Sequence, residues 1–130
     1  MVMVQGATTP ATARQQGKFG EQIAVDFLAG QGYAIRERNW TIRPYEVDII
    51  AQDGDTLVFV EVKMRSNSFR PEQVVNRRKQ IFIMRAARAY TARYNPHLKI
   101  RFDIIFISGS PLSYKINHIK NAFCPKIKSY

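Results

Sequence analysis

Cysteine and histidine are scarce in this chain of 130 residues, which contains one cysteine and two histidines. The single cysteine, Cys124, cannot form an intramolecular disulfide bond. The two histidines, His97 and His118, are too far apart in the sequence to have the spacing of a zinc site. These absences exclude a disulfide-stabilised fold and a zinc centre built on cysteine and histidine.

Long hydrophobic segments are also missing. No apolar run approaches the roughly 20 residues that cross a bilayer, and the amino-terminal residues lack the basic and hydrophobic segments of a secretory signal. We therefore expect a cytoplasmic protein without a membrane segment. The hydrophobic content of 45% and the aromatic content of 12% are typical of a globular chain, and 130 residues fit one domain.

Acidic residues are half as numerous as basic ones. Ten Asp and Glu against twenty Lys and Arg give a net charge of +10 and an isoelectric point near 10.1. The charge is unevenly divided, since residues 73–130 hold twelve basic residues and one acidic residue, whereas residues 1–72 hold eight basic and nine acidic ones. A strongly basic half favours a polyanionic partner such as nucleic acid, with an anionic membrane surface as the alternative.

Periodicity divides the chain into a tail and seven secondary-structure elements. Residues 1–12 are small and polar, which predicts a flexible tail before a single domain of residues 13–130. Apolar residues recur at helical spacing from Ala13 to Gly30 and from Gln73 to Tyr94. Strand patterns occupy Tyr33–Trp40, both halves of Tyr45–Arg65, Arg101–Ile107 and Tyr114–Ile119.

The order αβββαββ predicts an α/β fold with a mixed β-sheet flanked by helices. The second helix would serve as a crossover, which requires the strands on either side of it to be parallel. The nearly continuous apolar run Arg101–Ile107 predicts a strand that is covered on both faces. In the second helix, the residues expected to be buried are Phe82, Ile83, Ala86, Ala87 and Tyr90.

The stretch Tyr45–Arg65 reads as a β-hairpin that carries charged side chains among apolar ones. With a turn centred on Asp53 and Gly54, alternation places Asp48 on the face of Glu61 and Lys63, and an odd-length loop would place it on the other face. Asp48 and Glu61 are then expected as diagonal neighbours, roughly 7–8 Å apart at Cα. The expected cross-strand pairs are Ile50–Leu57, Asp48–Phe59 and Glu46–Glu61, with Glu46 and Ile50 on the face of Asp48.

Two carboxylates that converge from neighbouring strands can hold a divalent cation. Mg²⁺ or Mn²⁺ takes hard oxygen ligands and keeps several waters, so Asp48, Glu61 and the main-chain carbonyl of Val62 would be sufficient protein ligands. Such an ion supports phosphodiester hydrolysis, and Lys63 would orient the attacking water or stabilise developing negative charge. From the first helix, Glu21 could add a ligand, or it could be a solvated residue. The structural alternative for the whole group is an ion pair on an exposed sheet face.

The second helix is expected to bind phosphate groups. It carries six basic residues and no acidic one between Arg77 and Tyr94, so its cations lack the acidic i to i+4 partners that stabilise a charged helix surface. Lys79 borders the expected buried stripe and could lean toward the sheet. A solvated basic face is the alternative. The expected nucleic-acid-binding residues are Arg77, Arg78, Lys79, Arg85 and Arg88.

The charged residues of the hairpin also carry a family resemblance. Asp48 followed by Glu61-Val62-Lys63 resembles the D…(D/E)-x-K signature of the restriction-endonuclease-like nuclease superfamily. Apart from about its first 12 residues, the chain is similar to the YraN-type family of small bacterial proteins. The further residues that carry this resemblance are Gly17, Gly20, Glu21, Asn39, Glu46, the run Val58–Arg65, Lys79, Phe102–Asp103 and His118–Phe123.

The resemblance implies a fold shared with archaeal Holliday-junction resolvases and a metal-dependent nuclease role. It also implies that Glu21, Asp48, Glu61 and Lys63 are the site residues. One position departs from the family pattern, because Tyr45 stands where the family usually has glycine. The bulk of this side chain could narrow the site or stack on a base.

Residues and resemblance together lead us to expect a Mg²⁺- or Mn²⁺-dependent endonuclease. We expect it to cut DNA rather than RNA, on branched or structured DNA of repair or recombination. Symmetric cutting of a junction would need two sites, as a homodimer provides. Two alternatives remain open: a nucleic-acid-binding protein with a vestigial site, and a scaffold that recruits other factors.

Overall fold

The computed structural model describes residues 13–66, 75–94 and 97–123 of the chain. The predicted tail, residues 1–12, lies outside the described residues. The element order αβββαββ is confirmed. The elements are α1 (Ala13–Gly30), β1 (Ala34–Ile42), β2 (Tyr45–Asp53), β3 (Thr56–Arg65), α2 (Arg77–Tyr94), β4 (Lys99–Ser110) and β5 (Ser113–Ile119).

The five strands form one sheet in the order β1-β2-β3-β4-β5. All neighbours are antiparallel except β3 and β4, which pair in parallel from Thr56↔Lys99 to Arg65↔Ser108. The crossover through α2 therefore makes the parallel connection that the sequence predicts. Strand β4 has a neighbour on each side, and residues 102–107 are buried without interruption, as expected for a strand covered on both faces.

Each helix covers one face of the sheet, because successive side chains of β3 alternate between two apolar clusters. Val58 and Val60 pack with Ala24 and Leu28 on the face covered by α1. Leu57 and Phe59 pack on the face covered by α2, whose buried residues include Ile83, Ala86, Ala87 and Tyr90. Strand β3 thus lies between two cores, and charged residues near its end need a specific explanation.

The start of α2 differs from the sequence prediction. Val75 and Asn76 are not helical, and the helix begins at Arg77, four residues later than predicted. Asn76 Oδ1 accepts a hydrogen bond of 2.9 Å from the Lys79 N–H, which is the geometry of an N-cap. The cap fixes where the helix begins and so fixes the direction in which Lys79 leaves it.

Phe82 is less buried than predicted, and Tyr94, a second aromatic residue of α2, lies largely outside the core. Phe82 is half-buried at the margin of the core, and Tyr94 in the last turn is 49% exposed. Thr91 is buried in their place, with its hydroxyl donating to the Ala87 carbonyl at 2.9 Å. Among the described residues, neither helix is long and apolar enough to cross a membrane.

Helix α1 approaches the sheet most closely at Gly20. A Cβ atom at this position would lie 3.0 Å from Met64 Cβ and 3.7 Å from Ile107 Cδ1. A Cβ atom at Gly17, one turn earlier, would meet nothing within 4 Å. Gly20 is therefore required by packing, whereas Gly17 is not.

This difference predicts opposite effects of one substitution at two positions of α1. We expect Gly17→Ala to raise the unfolding free energy by up to about 1 kcal/mol, because alanine favours the helix and fits without contact. Gly20→Ala should instead lower it by about 1–2 kcal/mol, since helix and sheet must separate to admit the methyl group. Urea unfolding of both variants measures the difference, and equal effects would contradict the packing assigned to Gly20.

Candidate functional site

The turn of the β2–β3 hairpin lies one residue later than predicted. Asp53 pairs with Thr56, so the two turn residues are Gly54 and Asp55. Gly54 has a φ of 61° at the first turn position, where a two-residue hairpin turn can require glycine. The expected pairs Ile50–Leu57, Asp48–Phe59 and Glu46–Glu61 are therefore wrong.

The observed register pairs Ile50 with Phe59 and Ile49 with Val60. It differs from the predicted register by two residues, an even number, so the alternation of β3 is unchanged. The next residues on the two strands are Asp48 and Glu61. They follow the last paired residues directly, rather than lying on a diagonal as predicted.

The sheet forks at this point. Strands β2 and β3 are paired only from Ile49↔Val60 to the turn. Beyond the last pair, β2 continues beside β1 as far as Ile42↔Tyr45, while β3 continues beside β4 as far as Arg65↔Ser108. The two ladders separate, and the main-chain groups that face the gap need other partners.

Asp48 supplies one of those partners. Its Oδ2 accepts a hydrogen bond of 2.8 Å from the main-chain N–H of Val62. The carboxylate thereby takes the place of a ladder acceptor from β2 and is fixed at the apex of the fork. The hydrogen bond holds Asp48 beside Glu61, the residue that precedes Val62.

Near Asp48, the side chains of β2 do not alternate regularly between the two faces of the sheet. Val47 packs in the core under α2 although Ile49 packs under α1, and residues two apart on a regular strand share a face. On the neighbouring strand, Asn39 has a φ of 51°, in the left-handed region that asparagine tolerates better than most residues. The ring of Trp40, which follows Asn39, packs edge-on against Tyr90 at 5.2 Å between ring centroids.

This reversal corrects the predicted face of β2. Ile50 packs under α2, whereas Glu46 and Asp48 line a cavity of about 510 Å³ beside α1. Glu46, Asp48 and Ile50 therefore do not share one face. The predicted approach of Asp48 to Glu61 survives because Asp48 lies in the gap between the two ladders.

Glu61 is the most unusual charged residue of the described structure. It is only 4% exposed, and its Oε2 atom has no hydrogen-bond partner among the described residues. Lys79 Nζ lies 3.4 Å from that oxygen. The pKa of Glu61 is raised from 4.5 to about 8, first by burial and then by the hydrogen bond to Asp48 and the charge of Asp48, while Lys79 and Lys63 lower it.

A second buried acid, Asp103, shows what a satisfied carboxylate looks like in this fold. Its side chain accepts hydrogen bonds from Arg101 at 2.8 and 2.9 Å and from the Asn121 N–H at 3.0 Å. His118 Nε2 lies 2.7 Å from it. Asp103 thus joins β4 to β5 and to the residues after β5, which is a structural role. The contrast indicates that this fold can satisfy a buried carboxylate fully, and that the unpaired oxygen of Glu61 is specific to the position beside Asp48.

The donor set fits a divalent cation better than it fits a closed ion pair. Two carboxyl groups in contact cannot both be ionised without a nearby positive charge, and a cation can replace the proton they otherwise share. The described residues contain no group of three or more His, Cys, Asp or Glu able to hold a metal. An ion held here by Asp48 and Glu61 would complete its coordination with water and substrate oxygens, as Mg²⁺ commonly does.

The predicted ligand Glu21 belongs to α1 and lines the cavity from that side. Asn39 Nδ2 donates a hydrogen bond of 2.7 Å to Glu21 Oε1, and Arg38 Nε lies 3.4 Å from the same oxygen. The side chain is 13% exposed and lines the cavity together with Asp48. Glu21 is therefore held toward the cavity by β1, and its predicted part in metal binding stays a prediction.

The remaining predicted residues separate into two groups. Val62 lines the cavity, and its N–H is bound by Asp48. Lys63 is half-buried, close enough for its charge to act on Glu61. Lys79 joins the site through Glu61, whereas the other predicted nucleic-acid-binding residues are exposed along α2: Arg77, Arg78, Arg85 and Arg88.

Tyr45 packs away from the open cavity. Its ring lies edge-on to Phe82 of α2 with 5.4 Å between centroids, and Arg78 lies over the Phe82 ring, 5.6 Å from its centroid. The half-buried Tyr45 ring thus contacts the margin of the α2 core. This packing explains how a bulky residue is accommodated next to Glu46.

Sequence reasoning assigned no role to three residues of the cavity region. Asn39 and Arg38 position Glu21, and Lys18 lines the cavity near Gly17. An asparagine inside a strand pattern was the available signal for Asn39, because asparagine adopts the left-handed conformation more often than other non-glycine residues. No sequence signal distinguishes Arg38 or Lys18 from other charged surface residues.

The raised pKa of Glu61 predicts a pH-dependent gain of stability in Glu61→Gln without metal. A carboxyl that is preferentially neutral in the folded state contributes fully below its unfolded pKa of 4.5 and loses that contribution as pH rises toward 8. Glutamine does not titrate. The melting temperature of the variant minus that of the wild type, in chelator, should therefore grow by about 5 °C or more between pH 5 and pH 8, then level off.

The matched control is Asp55→Asn, at the exposed turn of the same hairpin. The pKa of Asp55 is lowered, by hydrogen bonds from Thr56 and Lys99 and by the charge of Lys99, so this carboxyl does not titrate in the same interval. Its melting-temperature difference should be flat. A flat difference for Glu61→Gln as well would show that Glu61 is ionised in the folded protein throughout.

Comparison with known proteins shows that residues 20–107 match the uncharacterised protein family UPF0102. The matched segment contains every predicted site residue from Glu21 to Arg88. UPF0102 is the YraN-type family, so the predicted resemblance to that family is confirmed. The resemblance to the restriction-endonuclease-like superfamily stays a prediction.

Individual relatives match over nearly their full length. A UPF0102 protein of Bacteroides thetaiotaomicron is 42% identical over 119 residues, which cover 90% of this chain and 98% of the relative. One from Caldicellulosiruptor bescii is 45% identical over 116 residues, covering 85% and 98%. One from Chlorobium phaeobacteroides is 44% identical, covering 82% and 92%.

Proposed function

The chain belongs to the uncharacterised protein family UPF0102, and from the geometry of its site we propose that it is a metal-dependent endonuclease that cuts structured DNA in the cytoplasm. The observation that carries the proposal is the contact between Asp48 and Glu61 at the fork of the sheet, where one oxygen of Glu61 has no hydrogen-bond partner in the described part of the chain. Two adjacent carboxylates can supply the oxygen ligands of a Mg²⁺ ion for phosphodiester hydrolysis, and the lysines beside them can stabilise negative charge.

Asp48 and Glu61 would hold Mg²⁺ or Mn²⁺, with the Val62 carbonyl as the third proposed protein ligand. When bound, such an ion supplies Lewis-acid polarisation of a phosphate oxygen and activation of water. The Val62 N–H keeps the Asp48 carboxylate oriented toward Glu61 through its 2.8 Å hydrogen bond. Because that donor belongs to the backbone of β3, the ligand geometry does not depend on a flexible side chain.

Lys63 and Lys79 would act electrostatically, Lys63 on the phosphate and Lys79 on the carboxylate of Glu61. Lys63, two residues after Glu61 on β3, would orient the attacking water and stabilise the negative charge that develops on the phosphate. Lys79 lies 3.4 Å from Glu61 and holds that carboxylate in place. Glu21 would accept a hydrogen bond from a water in the cavity, and Asn39 fixes the direction of its carboxylate.

The basic surface and the cavity together favour nucleic acid as the substrate. The chain has a net charge of +10, and the exposed arginines of α2 would contact phosphates. A cavity of about 510 Å³ beside the acids has room for a sugar-phosphate unit. A homodimer would supply the two sites that symmetric cutting needs.

Cleavage should depend on the acid pair. We expect Asp48→Asn and Glu61→Gln to lower the cleavage rate by at least about 100-fold, because each removes a metal ligand, and Lys63→Ala by a similar factor, because it removes the charge that acts on the reacting phosphate. The measurement is cleavage of four-way, flapped, duplex and single-stranded DNA, and of RNA, with Mg²⁺ or Mn²⁺. Asp55→Asn removes an exposed carboxylate at the far end of the same hairpin and should retain activity. Cleavage that persists in the Asp48 and Glu61 variants would sink the proposal.

Metal binding can be tested without activity. Mg²⁺ at 100 times its dissociation constant should stabilise the wild type by about 2.7 kcal/mol, because the ion binds the folded site and not the unfolded chain. Thermal unfolding with and without Mg²⁺ measures this effect. It should vanish in Asp48→Asn and persist in Asp55→Asn, and stabilisation that is equal in both variants would place the ion elsewhere.

The ion pair between Lys79 and Glu61 favours one other candidate function. An ammonium group beside the acid pair can itself neutralise Glu61, which would leave a nucleic-acid-binding protein with a vestigial site. Tight, salt-sensitive binding of DNA without cleavage, together with no stabilisation by Mg²⁺, is the result that would select this function over the nuclease.

A further inference from the structure

A second cavity lies on the other flank of α2, away from Lys79. It has a volume of about 400 Å³ and is formed between α2 and the first residues of β4. Three arginines of α2 border it, and its apolar surface comes from both elements. The residues that matter here are Arg77, Arg85 and Arg88 at the border and Met84, Ile100 and Phe102 on the floor.

The three arginines form a row of cations that has no counter-charge among the residues the structure describes. None of the three guanidinium groups has a hydrogen bond or ion pair with another described residue, and all three side chains are exposed. From Arg77 to Arg88 the row extends about 16 Å along the helix at 1.5 Å per residue. An elongated row of this kind fits several successive phosphates better than one compact anion.

The second cavity is an open groove between α2 and β4, and its floor is apolar and partly open to solvent. Ile100 is 43% exposed although it is a large hydrophobic residue in a strand, and Met84 is half-buried beside it. Phe102 lies beneath them and is almost completely buried. A face that served only solubility would place polar residues between its arginines. A row of arginines beside an apolar floor fits a ligand that carries both phosphate charges and flat apolar groups.

We propose that this groove binds a single-stranded segment of nucleic acid, with phosphates on Arg77, Arg85 and Arg88 and unpaired bases against Met84 and Ile100. The inference rests on the proposed function and adds the form of the substrate. Duplex DNA could offer its phosphates to the same arginines, but its bases are stacked inside the helix and cannot reach the apolar floor.

The groove lies within reach of the acid pair along the sheet. Phe102 pairs with Phe59, which is two residues before Glu61 on β3. At about 3.3 Å per residue and 4.8 Å between strands, the backbone of the floor begins about 8 Å from that of Glu61. The groove lies on the α2 side of the sheet and the cavity of Asp48 on the α1 side. A strand held in the groove would therefore meet the acid pair at the fork, and we expect cleavage close to a junction between paired and unpaired DNA.

The test compares binding of labelled oligothymidylate and of a blunt hairpin duplex by fluorescence anisotropy, in chelator to prevent cleavage. Ile100→Ser should weaken single-strand binding about tenfold, since the contact of a base with the protein is lost, and leave duplex binding within about twofold. Met84→Gln, at a second floor position, should act in the same direction. Thermal unfolding of each variant confirms that it folds.

Arg93→Ala is the matched control for the cations. Arg93 is an exposed arginine of the same helix, stacked over Tyr94 at 5.6 Å, and it does not border the groove. Arg85→Ala should reduce the salt dependence of single-strand binding by about 0.7 in the log–log slope, the value for one lost phosphate contact. Arg93→Ala should leave the slope unchanged.

Three results would overturn the inference: equal weakening of single-strand and duplex binding by Ile100→Ser, no weakening of single-strand binding by Ile100→Ser, or the same change of slope in Arg85→Ala and Arg93→Ala. Failure of the groove is distinguishable from failure of the nuclease. If the floor substitutions do not change binding, while the wild type cleaves with metal and Asp48→Asn does not, only the groove is rejected. Selective single-strand binding without cleavage rejects the nuclease alone.

Discussion

The contact between the carboxyl groups of Asp48 and Glu61 is the interaction on which the rest of the site depends. Two acids this close, one of them 4% exposed, repel each other unless a proton or a cation lies between them. The fold maintains the contact by opening the sheet, so that Asp48 binds the Val62 N–H in place of a neighbouring strand. Lys63 and Lys79 then reduce the electrostatic cost without removing it. A structure selected only for stability would place apolar residues here.

The two helices meet different requirements around this contact. Helix α1 packs tightly at Gly20 and leaves open space at Gly17, so the same helix both anchors to β3 and borders the cavity. Helix α2 brings Lys79 to Glu61 from its first turn, where Asn76 fixes the start of the helix. The cavity of Asp48 and the basic helix therefore lie on opposite faces of one sheet, and Asp48 meets Glu61 at the fork.

Much of this architecture can be read from the sequence because it depends on local patterns. Apolar periodicity fixes the bounds of α1 and the order of all seven elements, and the apolar run of β4 correctly predicts a strand covered on both faces. The register of the hairpin could not be read in the same way. Asp53-Gly54 and Gly54-Asp55 are both suitable turn sequences, and the choice between them depends on how the paired strands pack.

The fork and the reversal of facing were beyond sequence reasoning for a different reason. Alternation assumes a regular strand, and the left-handed residue Asn39 breaks that assumption in β1 opposite the level of Asp48. The prediction that Asp48 approaches Glu61 held although the argument from a shared face was wrong. The position of Glu21 depends on hydrogen bonds from β1, which no spacing in the sequence records.

The fork also has a consequence for the order in which the chain folds. Asp48 and Val62 are only 14 residues apart, so their hydrogen bond closes a short loop and can form as soon as the hairpin does. Lys79 reaches Glu61 only after the chain has crossed over through α2, and the parallel pairing of β3 with β4 closes a longer loop still. The acid pair can thus be assembled by local structure, with Lys63 on the same hairpin, before Lys79 adds its charge from a more distant part of the chain. While α2 is undocked, water screens the repulsion between the two carboxylates. Docking of α2 then brings Lys79 to Glu61, which offsets part of the cost of burying Glu61.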